Sequence, residues 1–121
     1  MGEDAHAEDG PWEPAGPNWQ RAKNTDRVNG IVAAELQCDD PEKVAATWGA
    51  IAELPVSASN TIELANATLR FVPCTDGRPE GLGGIDVVSP NKAAILEAAE
   101  KIGAKRSDTQ IYLCGTRINL V

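Results

Sequence analysis

TIELANATLRFVPCTDGRPEGLGGID, residues 61–86, holds a hairpin, a glycine-rich connection and the strand that opens the second half of the chain. Ile62–Ala65 and Thr68–Val72 are β-rich runs around Asn66, a residue type that tolerates the positive φ of a tight reversal. Ile62 and Leu64 alternate with Glu63, and Leu69 and Phe71 with Thr68 and Arg70, so the hairpin has one apolar and one polar face. The apolar face requires a helix over it.

The pattern returns 49 residues later as IYLCGTRINLV, residues 111–121, with Gly115 in the place of Asn66 and Val121 in that of Val72. The same shift, without a gap, lays Pro41 on Pro90, Lys43 on Lys92, Ala45 on Ala94, Ala50 on Ala99 and Leu64 on Leu113. This is an internal duplication of a strand, helix, strand, strand unit. The predicted class is α+β: two tandem βαββ modules, residues 28–76 and 82–121, with both helices on one face of a mainly antiparallel, curved sheet.

In the first module Val32, Ala34 and Leu36 alternate with Glu35 and Gln37 as a strand. Asp40 then caps a helix over 40–53, with Pro41 at its first position. Val44, Trp48 and Ile51 form its apolar stripe, Trp48 as a core anchor, and Pro55 stops it. In the second module Gly84–Val88 is the strand, Ser89 the cap and Pro90 the opening of a helix over 90–102. Ile95, Ala98, Ala99 and Ile102 line its buried face, and Gly103 ends it. Asp76–Gly84, with four glycines, reads as a flexible crossover. It contains neither GxxxxGK[ST] nor a GxGxxG opening a helix, which excludes a nucleotide loop.

The length of 121 residues fits one domain, placed at 27–121, and an aromatic share of 4 % leaves Val, Ile, Leu and Ala to fill its core. Residues 1–26 are acidic and rich in Pro and Gly, a composition that reads as tail or linker. Trp12 and Trp19 mark that segment as one that docks, on this domain or on a partner. His6, among Glu3, Asp4, Glu8 and Asp9, reads as a solvated tail residue. A net charge of −7 argues against a surface that neutralises many phosphates and so excludes nucleic acid. The start has no basic region followed by an apolar run, so no signal peptide and no membrane span are expected. Cys38, Cys74 and Cys114 form no CxxC pair and are odd in number, which points to reduced thiols in a cytoplasm.

The shift of 49 puts Gln37 on Asp86 and Leu36 on Ile85. Alternation then directs Glu35, Gln37, Glu63, Arg70, Asp86, Tyr112, Arg117 and Asn119 to one polar, concave sheet face, the candidate ligand-binding set. Such a face is either the wet side of an antiparallel sheet or a binding cleft.

The duplicated units, the run LANATLRFVPCTDGRPEGLGGIDV and the closing CGTRINLV resemble the vicinal oxygen chelate superfamily of glyoxalases, bleomycin-resistance proteins and dioxygenases. More narrowly, nearly the whole chain resembles the C-terminal half of bacterial glyoxalase-like proteins, with GPWEPAGPNWQRAKNTD similar to their inter-module linker. The resemblance implies paired modules whose sheets form a cleft, where a divalent metal polarises a substrate with adjacent oxygens. It places Gln37 and Asp86 on or next to the first-strand ligand positions. The usual histidine is missing, and so is a fourth strand in each copy. The expectation is therefore a small-molecule-binding module with no metal and no cofactor of its own. The alternatives are part of a metal-dependent lyase, isomerase or dioxygenase completed by another module, and a structural or assembly module. Three strands where the family has four also imply open edges, at the Ile31–Ala34 run among others, and hence a homodimer or pairing with a second glyoxalase-like module.

Overall fold

The structure, a computed structural model, describes Gly10 and residues 16–121. His6, Trp12 and the acidic run lie outside the described residues. Trp19 opens a short 3-10 turn, Trp19–Ala22, and its indole donates to the Gly10 carbonyl at 2.8 Å.

Six strands form one sheet: β1 (Gly30–Cys38), β2 (Thr61–Glu63), β3 (Thr68–Pro73), β4 (Gly81–Val88), β5 (Gln110–Leu113) and β6 (Thr116–Leu120). Their order is β2-β3-β1-β4-β6-β5. β1 runs parallel to β3 and β4 parallel to β6, while the other three pairings are antiparallel. Helix α1 (Pro41–Ala52) belongs to the first module and α2 (Lys92–Lys101) to the second. The α+β class and the two βαββ units are as the sequence predicts.

The helix side of the sheet holds the core, in two clusters. Cys38, Ala45, Ile62 and Phe71 pack together under α1, with Leu36, Val44 and Leu69 around them. Ala99, Ala104 and Ile111 pack under α2 with Ile95, Leu96 and Ile118. Trp48 meets Phe71 edge-on at 5.6 Å, yet it is 44 % exposed and so covers the core from outside rather than anchoring it. Ile51 and Ile102 are not on the buried stripes at all, at 80 % and 72 % exposed. Ile51 sits in the last turn of α1 and Ile102 at the C-cap of α2.

Helix starts follow local chemistry. The Asp40 carboxylate accepts from the Lys43 backbone N–H at 3.2 Å, with Pro41 behind it at the first helical position. In the second module the cap is Asn91, accepting from Ala94 at 3.1 Å, and not Ser89. Ser89 instead accepts from the Asn91 backbone N–H, so Pro90 lies before the helix rather than in it. Turn chemistry differs between the hairpins as well. Cys114 and Gly115 both take positive φ, 50° and 76°, in a two-residue turn between the paired Leu113 and Thr116. Asn66 does not take positive φ; among the described non-glycine residues Glu53, Asn60 and Cys114 do.

The duplication is real, but its register is not constant. β1 and β4 cross antiparallel with the pairs Ala33↔Asp86, Ala34↔Ile85 and Glu35↔Gly84. These are symmetric about Ala34↔Ile85, which equates residues 51 apart: Ala34 with Ile85, Glu35 with Asp86. The ladder also skips Val32 on one strand and Gly83 on the other, again 51 apart. The caps Asp40 and Asn91 keep that spacing. At the end of the helices Leu54 N–H bonds to Gly49 O and Ala104 N–H to Ala99 O, a spacing of 50. Only the hairpins, Ile62 with Ile111 and Arg70 with Asn119, stand 49 apart. One residue is thus lost within α2 and one in the loop after it, and Gln37 is not the counterpart of Asp86.

β1 has neighbours on both sides, so the Ile31–Ala34 run is not an edge. The edges are β2 and β5. Each is short and partly covered: Ser57 N–H bonds to Thr61 O beside β2, and Tyr112 N–H to Ala104 O beside β5. Strand addition has only three or four residues to work with there.

Candidate functional site

The polar face of the sheet carries two side-chain networks. The first is built on the pseudo-twofold. Glu35 and Asp86 occupy equivalent places on the central strands, and Arg70 and Asn119 equivalent places on β3 and β6, directly beside them. Arg70 forks onto Asp86, Nη1 to Oδ2 at 2.8 Å and Nη2 to Oδ1 at 2.7 Å, and lies 3.4 Å from Glu35 Oε1. Asn119 Nδ2 donates to Glu35 Oε1 at 2.7 Å and Asp86 Oδ1 at 2.9 Å. Its carbonyl accepts from Gln110 Nε2 at 2.9 Å, which fixes the amide's orientation. The Arg70 hydrogen bonds hold the Asp86 carboxyl below its ordinary range against the opposing effect of burial, and the same bonds push Arg70 up.

The second network centres on Asp76, from the loop after β3. Arg78 Nε and Nη2 donate to Asp76 Oδ2 at 2.8 and 2.6 Å, and Arg117 Nη1 to the same oxygen at 2.9 Å. Gln37, 2 % exposed, holds the loop down. Its Nε2 donates to Asp76 Oδ1 at 3.1 Å and to the carbonyl of Pro79 at 2.9 Å. The Arg78 side chain, followed by the Arg78 backbone N–H, keeps the Asp76 carboxyl well below the usual carboxylate range. Tyr112 stands alongside, with the Arg106 guanidinium 4.2 Å from its ring centroid and that of Arg78 at 6.0 Å.

The glycines of the supposed crossover explain how these side chains fit. Gly81–Gly84 are the first half of β4 and not a flexible loop. A Cβ on Gly84 would stand 2.8 Å from Glu35 Oε1, and one on Gly83 would stand 2.6 Å from Gln37 Oε1 and collide with Arg117 Nη2. Absence of side chains there is what lets the networks lie flat on the sheet.

Of the eight residues expected on this face, Glu35, Arg70, Asp86 and Asn119 form one cluster, and Gln37 and Arg117 join the other, with Tyr112 beside it. Glu63 is apart from both, bonded to Thr68 Oγ1 at 2.9 Å toward the β2 edge. Asp76, Arg78 and Arg106 come from loops, where no periodicity marks a facing direction. The Asp76-Gly77-Arg78 turn does, however, place an acid and a base two residues apart, the signature of a loop that closes on itself.

No protein-family model matches the chain, and no curated protein sequence does. Among solved structures, methylmalonyl-CoA epimerase from Mycobacterium tuberculosis matches 82 % of this chain and 91 % of its own, with a TM-score of 0.58 at 12 % identity. That protein is a vicinal oxygen chelate superfamily member, and the chain has that fold.

The described residues do not offer the superfamily's divalent metal a ligand set. Among the described residues no three His, Cys, Asp or Glu side chains converge. Glu35 and Asp86 share the polar face, but the Arg70 guanidinium engages both Asp86 oxygens and the Asn119 amide engages Glu35 Oε1. A zinc-like ion takes about three or four N, S or O ligands. Also among the described residues, no helix is long and apolar enough to cross a membrane.

Proposed function

We propose that the chain is a small-molecule-binding module that takes an anionic ligand on its polar sheet face without a metal. The observation that carries this reading is the sharing of one carboxylate, Asp76, by two guanidiniums, Arg78 and Arg117. One positive charge is left over there, in a chain whose net charge is −7. Arg106 over Tyr112 adds a second cation and a flat ring surface beside it. Guanidiniums bind carboxylates and phosphates through paired, charge-assisted hydrogen bonds, and a ring edge next to them accepts the ligand's apolar part. The cluster of Glu35, Asp86 and Arg70 leaves one negative charge across the sheet, which polarises the face and orients a ligand carrying both an anion and a hydrogen-bond donor.

The test is titration of the full chain with succinate, inorganic phosphate and a coenzyme A thioester, the last because the structural neighbour is named for one. Saturable binding is expected for at least one of them, following Tyr112 by fluorescence. Arg106→Gln should weaken it about five- to tenfold, the worth of one charge-assisted contact. Absence of saturable binding to all three, or binding indifferent to Arg106, would overturn the reading.

A further inference from the structure

The two modules differ on the helix side of the sheet. With α1 and α2 aligned on Gly49 and Ala99, whose carbonyls accept the same closing bond, Ala98 takes the place of Trp48 and Ala94 that of Val44. The hairpin beneath keeps its size, Ile111 for Ile62 and Leu113 for Leu64. A large indole over the sheet in one module is therefore a methyl group in the other. On that side of the sheet, with Ala98 in its lining, lies a cavity of about 350 Å³ between α2 and β5.

Its wall is aliphatic, from Ala94, Ile95, Ala98, Ile102, Ile111 and Leu113, and its one charged lining residue is Arg27. Among the described residues Arg27 has no ion-pair or hydrogen-bond partner. A cation at an aliphatic pocket whose described lining holds no carboxylate selects an amphipathic anion. The volume lies at the lower end of small-ligand sites, which fits a short or medium aliphatic body.

We propose that this cavity is a second binding site, separate from the polar sheet face, for an aliphatic monocarboxylate whose head group pairs with Arg27 while its chain lies between Ala98 and Leu113. Its evidence is independent of the anion reading of the polar face, since the two lie on opposite sides of the sheet.

The test uses the full chain with decanoate and, as the uncharged counterpart, decanol. Decanoate should bind one to one by calorimetry and shift the methyl resonances of Ala98, Ile111 and Leu113. Arg27→Gln should weaken decanoate at least fivefold and leave decanol unchanged. Ala98→Trp, which restores the first module's side chain, should abolish both, and Ala94→Leu serves as a second filler should Ala98→Trp fold poorly. The proposal is overturned by undiminished binding in a folded filler variant, by decanoate shifts confined to Arg70, Arg117 and Tyr112, or by no saturable binding. It is equally overturned if decanoate acts only by splitting a self-associated form, since the occupant is then a second copy of the chain.

Discussion

Glu35 and Asp86, one on each central strand and related by the pseudo-twofold, are tied together by Asn119, which donates to both at 2.7 and 2.9 Å. Two like charges at this spacing repel, so the cluster depends on the donors between them. Asn119→Ala is expected to destabilise the fold by about 1–3 kcal/mol, since Glu35 Oε1 and Asp86 Oδ1 each lose a charge-assisted donor and keep only Arg70. Denaturant unfolding measures it. A loss no larger than that of an exposed Asn→Ala control would show that water substitutes for the amide.

Arg70 and Asp86 should couple. Each single change, Arg70→Met or Asp86→Asn, is expected to cost about 1–3 kcal/mol, and the double variant less than their sum, because removing both partners strands neither charge. A double-mutant cycle with strictly additive losses would refute the coupling.

Acid should unfold the protein through Asp76 and Asp86. Both carboxyls titrate below their ordinary value of 3.8 in the folded state, chiefly through Arg78 and Arg70. For a depressed carboxyl, the stabilisation is complete above the unfolded value and is lost as pH falls through the folded one. Stability is thus expected to hold down to about pH 4 and to decline continuously below it. In Asp76→Asn the decline should be shallower, while stability near neutrality is lower. Thermal melts across pH check this, and an identical slope in the variant would exclude Asp76 as a contributor.

Gly84→Ala should lower stability by roughly 1–3 kcal/mol as Glu35 and the Arg117 backbone are pushed away. Gly30→Ala is the control, because a Cβ there meets nothing closer than 4.0 Å. Equal melting points for the two variants would mean that Glu35 simply swings aside.

The hairpins, helices and polar face were legible because period-two and helical patterns persist in Ile62–Val72, Val44–Trp48 and Ile111–Leu120. The register was less so. A gapless shift of 49 is true of the hairpins and two short at the central strands, since one residue is missing within α2 and another after it. Strand alternation alone does not register such drift, so a gapless shift pairs Gln37 with Asp86 in place of Glu35. The Asp76 network escaped for another reason: its members come from loops and from a buried amide, and only the glycines opposite them, Gly83 and Gly84, betray that something lies close. Ser89 was the wrong cap because Pro90 fits the first helical position as well as it fits the residue before a cap.

The self-symmetric pairing of β1 with β4 means that each half of the chain ends in the same adhesive surface. A fragment covering residues 27–76 alone would bare one side of β1, and the shape that complements that side is a second β1 turned by half a rotation. Two identical fragments are therefore expected to dock back to back through Ala34, replacing Ile85 with its counterpart, and to recreate a six-stranded sheet from one repeated piece. Arg70 of each copy would then meet Glu35 of the other across the new axis, a pair that the second module's Asp86 now supplies. Sedimentation of the fragment as a compact dimer would make the present chain a fused version of its own ancestor's homodimer, and a persistent monomer would deny it that history.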